Sequence, residues 1–340
     1  MSLPRTPCQP DPLQHDINAA RDAWFLTGPT ASGKSVIGLE LAKRLNAEII
    51  SMDSMAVYQE MDIGTAKPSR EDQERVPHHL IDLVEPSEEF SLPQYLEAAE
   101  QAIKDITSRR KVPLFVGGTP LYLTSLLRGV DSGPPPDVEF RNHWQSIAES
   151  QGNKAVHDRL CEIDPPSAKR LHPGDLRRVI RALEIYEVTG RPMSEADKHF
   201  SQPIAQQDCR VYLLEWPRKT LNARINARVT KMFDAGWLSE VQQLQQAGPL
   251  GRTAAQAVGY RQILEYLTNG GEMSQLIADV QTTTRRFAKR QRTWFRSLSE
   301  GRVVSLNAAR SPGEVADEIV KSDAAQLAAE TPCSNPHTSS

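Results

Sequence analysis

Short apolar, β-rich runs recur along the chain: AWFLTG (23–28), AEIISMD (47–53), HLIDLV (79–84), VPLFVGG (112–118) and CRVYLLEW (209–216). Between several of them lie longer stretches in which apolar positions return with helical period. Strand and helix in alternation predict βαβ units, hence an α/β fold with a mostly parallel sheet and helices on both faces. Ligands of such sheets gather at the carboxyl ends of the strands, where Gly28, Asp53 and Gly117 to Thr119 stand.

The alternation breaks at DSGPPPD (131–137), and from there to about residue 200 the pattern is helical with no strand candidate. Residues 131–204 are therefore expected to be a helical insertion domain within a core made of 21–130 and 205–306. Residues 1–20 place Pro and polar residues where a secretory signal needs an apolar stretch, and Asp11 and Asp16 argue against a transit peptide, which predicts a disordered leader. Residues 307–340, rich in Ala, Ser, Glu and Pro, are expected to be a largely disordered tail.

Composition narrows the function classes. With 340 residues, 39% hydrophobic and 24% charged, the chain can bury a sizeable core, and no apolar run approaches the roughly 18 residues of a membrane span. The four cysteines, Cys8, Cys161, Cys209 and Cys333, are scattered without zinc spacing, which fits a reducing cytoplasm and no structural metal. A net charge of -3 does not favour nucleic acid, so an RNA partner would need a local concentration of basic side chains.

The residues Gly28-Pro29-Thr30-Ala31-Ser32-Gly33-Lys34-Ser35 match G-x-x-x-x-G-K-[ST], between a strand and a helix. Backbone N–H groups and a helix N-terminus there can cradle a diphosphate, Lys34 can neutralise it and the Ser35 hydroxyl can ligate Mg²⁺. The fold expected is thus α/β of the P-loop type. The motif identifies a phosphate and leaves open what is attached to it. Asp53 ends the next strand, and three roles stand side by side: a Mg²⁺-holding carboxylate, a general base, or a strand-end turn residue.

Basic charge is concentrated in TTTRRFAKRQRTWFRSL (282–298). At 100° per residue Arg285, Lys289, Arg292 and Arg296 form one stripe, with Phe287, Trp294 and Leu298 opposite. Nothing acidic interrupts the stretch to form i,i+4 pairs, so an anionic partner is expected. In HPGDLRRVIRALEIYEVTGRP (172–192), Asp175 is a candidate N-cap and Gly190 a stop. Arg177 and Arg181 share the face opposite Val179, Leu183 and Tyr186, although Arg181 can equally pair with Glu184. Arg224 and Arg228 lie i,i+4 on one face of a helix predicted over 221–244.

In order along the chain, GPTASGKS, DSMAVYQEMDIGTAKP, HHLIDLVEP, GGTPLYLTSLLRG, RALEIYEVTG, AVGYRQILEYL and RFAKRQRTWFR resemble the bacterial tRNA dimethylallyltransferases over roughly residues 22 to 300. The resemblance implies transfer of a dimethylallyl group from dimethylallyl diphosphate to the exocyclic amine of the adenosine 3′ of the anticodon, in tRNAs reading U-initial codons. It implies that Gly28 to Ser35 hold the diphosphate, that Lys34 and Arg228 assist, that Asp53 is the base and that Thr119 lines the channel. Contacts to tRNA are implied for Asp53, Ser54, Met55 and Ala56, for Thr119, for Arg177, Arg178 and Arg181, for Gly259, Tyr260 and Arg261, and for Lys289, Arg290, Gln291, Arg292, Thr293, Trp294 and Arg296. Mg²⁺ is expected as cofactor, tRNA and dimethylallyl diphosphate as partners, and a cytoplasmic monomer as the state of the chain. The sequence departs from many relatives at Ala56, where they carry Gln, and at Gln59-Glu60, where they carry Arg-Gly or Lys-Gly. Other classes predict different behaviour: a small-molecule P-loop kinase would consume ATP, an adenylate isopentenyltransferase would need no RNA grip, and a pure tRNA-binding module would leave the phosphate loop idle.

Overall fold

Four of the five apolar runs fold as the strands β1 (Trp24–Thr27), β2 (Ala47–Met52), β4 (Val112–Gly117) and β5 (Arg210–Glu215). In the computed structural model, which describes residues 20, 22–129, 133–195 and 204–330, they join β3 (His78–His79) and β6 (Gly301–Ser305) in an all-parallel sheet of order β3-β2-β4-β1-β5-β6. Every residue of β1 and β2 is buried, as in a sheet covered on both faces. Thr27 pairs with Gly117, and Gly117 with Met52. Gly28, Gly118 and Asp53 therefore leave the sheet level with one another, with the β4 turn between the other two. Two strand spacings, about 10 Å, separate the outer pair.

Two expectations about the strands are corrected. Of the run 79–84 only His79 enters β3, because Leu80 and Asp82 take positive φ and turn the chain away; Val84 returns as an isolated bridge to Tyr58. β6 was missed, a five-residue strand in which only Val304 is buried.

The described residues divide into two units. In one, residues 20–127 and 204–330, the helices are α1 (Lys34–Leu45), α2 (Arg70–Arg75), α3 (Leu92–Ser108) and α4 (Pro120–Arg128), whose last residue belongs to the other unit. The other unit, residues 128–195, carries α5 (Val138–Gln151), α6 (Asn153–Ile163), α7 (Pro165–Arg170) and α8 (Leu176–Thr189) around its own core of Val156, Leu160, Val179 and Leu183. Glu184, fully buried there, accepts from Arg141, from Arg181 and from the Asp137 N–H. Burial alone would raise its carboxyl; the guanidiniums hold it below the usual value.

The first unit continues with α9 (Arg218–Asp234), α10 (Trp237–Ala247), α11 (Arg252–Ala255), α12 (Tyr260–Asn269) and α13 (Met273–Arg296). The single helix expected over 221–244 breaks at Gly236, whose φ of 98° no helix continues. The expected disordered tail is corrected as well. Residues Pro312–Glu330 form α14, which packs on α1 through buried Val315, Ala316 and Ile319 and an Arg44–Asp317 ion pair at 2.6 Å. Its Asp323 receives Arg210, Arg302 and the Tyr212 hydroxyl. An Ala-rich segment is a good helix former, and one apolar face sufficed to dock it. The expected leader before residue 20 and the end of the tail from 331 lie outside the described residues.

Candidate active site

The phosphate loop is held open by groups that engage its carbonyls. Gly28 has φ 147° and so little room that a Cβ would lie 2.8 Å from the Leu214 carbonyl, and Gly33, at φ 96°, caps α1 without a side chain. The Trp216 indole donates to Ser32 O at 2.8 Å, and Arg224, stacked on that indole, donates to Ala31 O at 2.9 Å. The first-turn N–H groups of α1, which have no partner inside the helix, are left for an anion. Ser35 is exposed in that turn.

Lys34 Nζ donates to Gly28 O and Pro29 O, each at 2.9 Å. Its pKa is lowered to about 7, first by burial and then by Arg228, against an opposing pull from Asp53. Arg228 is likewise lowered by burial and supported by Asp53. The carboxylate thus lies in the field of both cations. On its other side Asp53 Oδ1 accepts from the Met55 N–H at 2.9 Å. Thr119 bridges the two turns, its hydroxyl accepting from the Ser54 N–H at 3.1 Å and its own N–H donating to Met52 O at 3.2 Å. A Cβ on Gly117 would sit 2.1 Å from Met52 O, so the first glycine of the motif is what allows β4 to lie against β2 at this point. Below, Tyr95 and Tyr122 stack with ring centroids 3.6 Å apart, and Tyr95 donates to Ser51 O. Burial and the Asp53 charge push the Tyr122 hydroxyl up, so both phenols stay neutral beside the carboxylate.

The basic helix is less free than its sequence suggests. Arg292 and Arg296 both donate to Glu215 Oε1 at the end of β5, at 3.0 and 2.6 Å, which corrects the expectation of uncompensated charge. The acidic partner was invisible because it lies on a distant strand. The buried side of α13 is Ala288, Gln291 and Phe295, continued by Leu298, whereas Phe287 and Trp294 are only half-buried. Lys289, Arg290 and Thr293 are exposed, with Arg290 over the Phe287 ring. Arg177 is exposed on α8, Arg178 pairs with Asp175 at 3.4 Å, and Arg181 takes the alternative role of binding Glu184.

Gly259 and Tyr260 turn inward. Tyr260 is buried and donates to Glu240 at 2.6 Å; Glu240 also accepts from the backbone N–H groups of Asp62, Ile63 and Gly64. Trp237 fills the space between the two motifs, since a Cβ would lie 2.2 Å from it at Gly64 and 2.0 Å at Gly259. Those sites shape the loop after Asp53 rather than face solvent. Arg261 is exposed and pairs with Glu265 at 3.6 Å. Ser54 and Met55 are half-buried and Ala56 is buried.

A phosphate loop at the carboxyl edge of a parallel sheet, with a carboxylate two strands away and a glycine turn between, defines a P-loop-type α/β protein. Residues 56–298 match the family model described as IPP transferase, and residues 21–82 match one described as isopentenyl transferase. The chain belongs to the IPP transferase family. It is 46% identical to the tRNA dimethylallyltransferase of Rhodopirellula baltica, an alignment covering 82% of this chain and 86% of that one. It is 45% identical to that of Carboxydothermus hydrogenoformans, over 80% and 88%. The crystal structure of the tRNA isopentenylpyrophosphate transferase of Bacillus halodurans matches with TM-score 0.65 and 35% identity, over 91% of this chain and 99% of that one. A eukaryotic dimethylallyltransferase acting on tRNA matches with TM-score 0.74 and 28% identity, over 91% and 80%.

Proposed function

We propose that this chain is a tRNA dimethylallyltransferase, moving the dimethylallyl group of dimethylallyl diphosphate to the N6 amine of the adenosine 3′ of the anticodon in tRNAs reading U-initial codons, with release of diphosphate. The observation that carries the chemistry is the shared field of Asp53, Lys34 and Arg228. The adenine amine is a weak nucleophile because its lone pair is delocalised into the ring, so the allylic carbon must become strongly electrophilic as diphosphate departs. Lys34, Arg228 and the loop N–H groups stabilise the departing charge. Asp53, whose charge acts on both Lys34 and Arg228, takes the amine proton as the C–N bond forms. Thr119 holds the Asp53 turn in place through Ser54.

Mg²⁺ fits the exposed Ser35 hydroxyl in the first turn of α1, a hard oxygen ligand of the kind it takes. Ser35 would hold it, and when bound it supplies positive charge to the leaving oxygens. The tRNA grip is assigned to the exposed cations Lys289 and Arg290 on α13, Arg177 on α8 and Arg261 on α12, with Arg292 and Arg296 contributing on exchange from Glu215. No helix among the described residues is long and apolar enough to cross a membrane.

The test is label transfer from dimethylallyl diphosphate with Mg²⁺ to bulk tRNA, to AMP and to a tRNA lacking the target adenosine. Label in bulk tRNA alone is expected. Label in AMP and not in tRNA would replace the reading with a free-nucleotide transferase.

A further inference from the structure

One polar residue of the basic motif is uncharged and buried. Gln291 is 4% exposed, and its amide is engaged at both ends: Oε1 accepts from the Thr30 N–H at 2.9 Å, and Nε2 donates to Gly118 O at 2.7 Å. A donor at one end and a carbonyl at the other admit only one orientation of the amide. The second glycine of the GGT turn is explained by the same contact. A Cβ on Gly118 would lie 2.8 Å from Gln291 Nε2, 3.1 Å from Gly28 O and 3.5 Å from Lys34 Nζ. The phosphate loop, the GGT turn and α13 therefore meet at this amide.

Resting on the reading that the loop holds the leaving diphosphate, we infer that Gln291 is a positioning residue of the diphosphate site and not a contact to tRNA. A side chain 4% exposed, with each polar atom bonded inside the fold, presents almost no surface to a nucleotide. What it does is fix the Thr30 peptide, and with it the rim of the anion cradle, against the turn that follows β4. A carboxamide of this length supplies both an acceptor and a donor. Gln291→Met keeps the volume and loses both bonds. Gln291→Glu keeps the acceptor, but sets a carboxylate oxygen against the Gly118 carbonyl and a negative charge beside the cradle.

The experiment measures inorganic pyrophosphate affinity by calorimetry and tRNA affinity by filter retention on the full chain, alongside thermal unfolding. Gln291→Met is expected to weaken pyrophosphate binding about tenfold. Gln291→Glu should weaken it about a further tenfold, with the gap between the two widening as salt is lowered. Affinity for tRNA should stay within about twofold in both. Loss of tRNA affinity with pyrophosphate unchanged overturns the inference, as do an equal loss of both, no change in either, or a wild-type chain that does not bind pyrophosphate. If the Met variant fails to fold, Gly118→Ala, which presses on the amide from the other side, must reproduce the pyrophosphate defect. Pyrophosphate binding is read without any transfer reaction, so a chain that binds it in this pattern yet prenylates no RNA refutes the functional reading and leaves the Gln291 assignment standing.

Discussion

Lys34 links the site to the stability of the fold, and replacing it with Met tests that link. Burial lowers its pKa from 10.5 to about 7, so between those values the unfolded chain carries a proton that the folded chain has lost. Stability therefore rises with pH through this window and levels off below about 7, where both states are charged. A full proton difference is worth 1.36 kcal/mol per pH unit, so from pH 7.5 to 9.0 Lys34 adds about 2 kcal/mol to the stability of the wild-type chain. Gln, Met or any uncharged replacement removes that slope and leaves those of other groups in place. Urea unfolding followed by tryptophan fluorescence at the two pH values should show the wild type gaining about 2 kcal/mol relative to Lys34→Met. The catalytic counterpart is a fall in kcat/KM for dimethylallyl diphosphate of about tenfold per pH unit above about 7, as the ammonium that receives the diphosphate is lost. Identical pH dependence of stability in the two proteins would refute the buried-ammonium reasoning.

Asp53→Asn keeps an acceptor for the Met55 N–H and removes the base; turnover is expected to fall by about 10²- to 10⁴-fold with tRNA affinity unchanged, and unchanged single-turnover rates would remove the assignment. Glu215→Gln releases Arg292 and Arg296 from their shared carboxylate, so tRNA affinity at low salt should rise and the log–log salt slope steepen by about one, read by anisotropy across a salt series. Flat behaviour there would mean the two guanidiniums serve the fold alone. Gly64→Ala drives a methyl into Trp237 and should cost about 2–3 kcal/mol in denaturant unfolding, where a neutral result would contradict the packing.

The βαβ frame was legible because strands buried on both faces read as continuous apolar runs, and the phosphate loop because its spacing is set by the anion it wraps. What escaped depends on partners far apart in the chain. Glu215 and Arg292 are 77 residues apart, and no local pattern announces that a strand end will neutralise Arg292 and Arg296. The β3 region was over-read because left-handed residues at Leu80 and Asp82 carry no sequence mark. Glu60 shows the opposite case: it takes φ 60°, a left-handed conformation that glycine adopts more readily, so the turn is made by a side-chain residue at modest cost.

The motifs of the family then separate into two physical kinds. GPTASGKS, Asp53 and GGT line the proposed diphosphate site, and their glycines are explained by close approach to Leu214 O, Met52 O and the Gln291 amide. DIGTAKP and VGYRQ face each other. Glu240 gathers three backbone N–H groups of the first and the phenol of the second, and Trp237 occupies the space that Gly64 and Gly259 leave empty. Burial and the Glu240 charge push the Tyr260 hydroxyl far up, so this phenol remains a donor at any pH the fold survives. The loop leaving Asp53 is thereby anchored to α10 and α12 at a fixed point. If Asp53 is the base proposed above, it needs such an anchor, because an error of an ångström at the base costs more rate than most single contacts supply. On the proposed reading, the burial of these two motifs serves the chemistry by fixing the loop that carries Asp53.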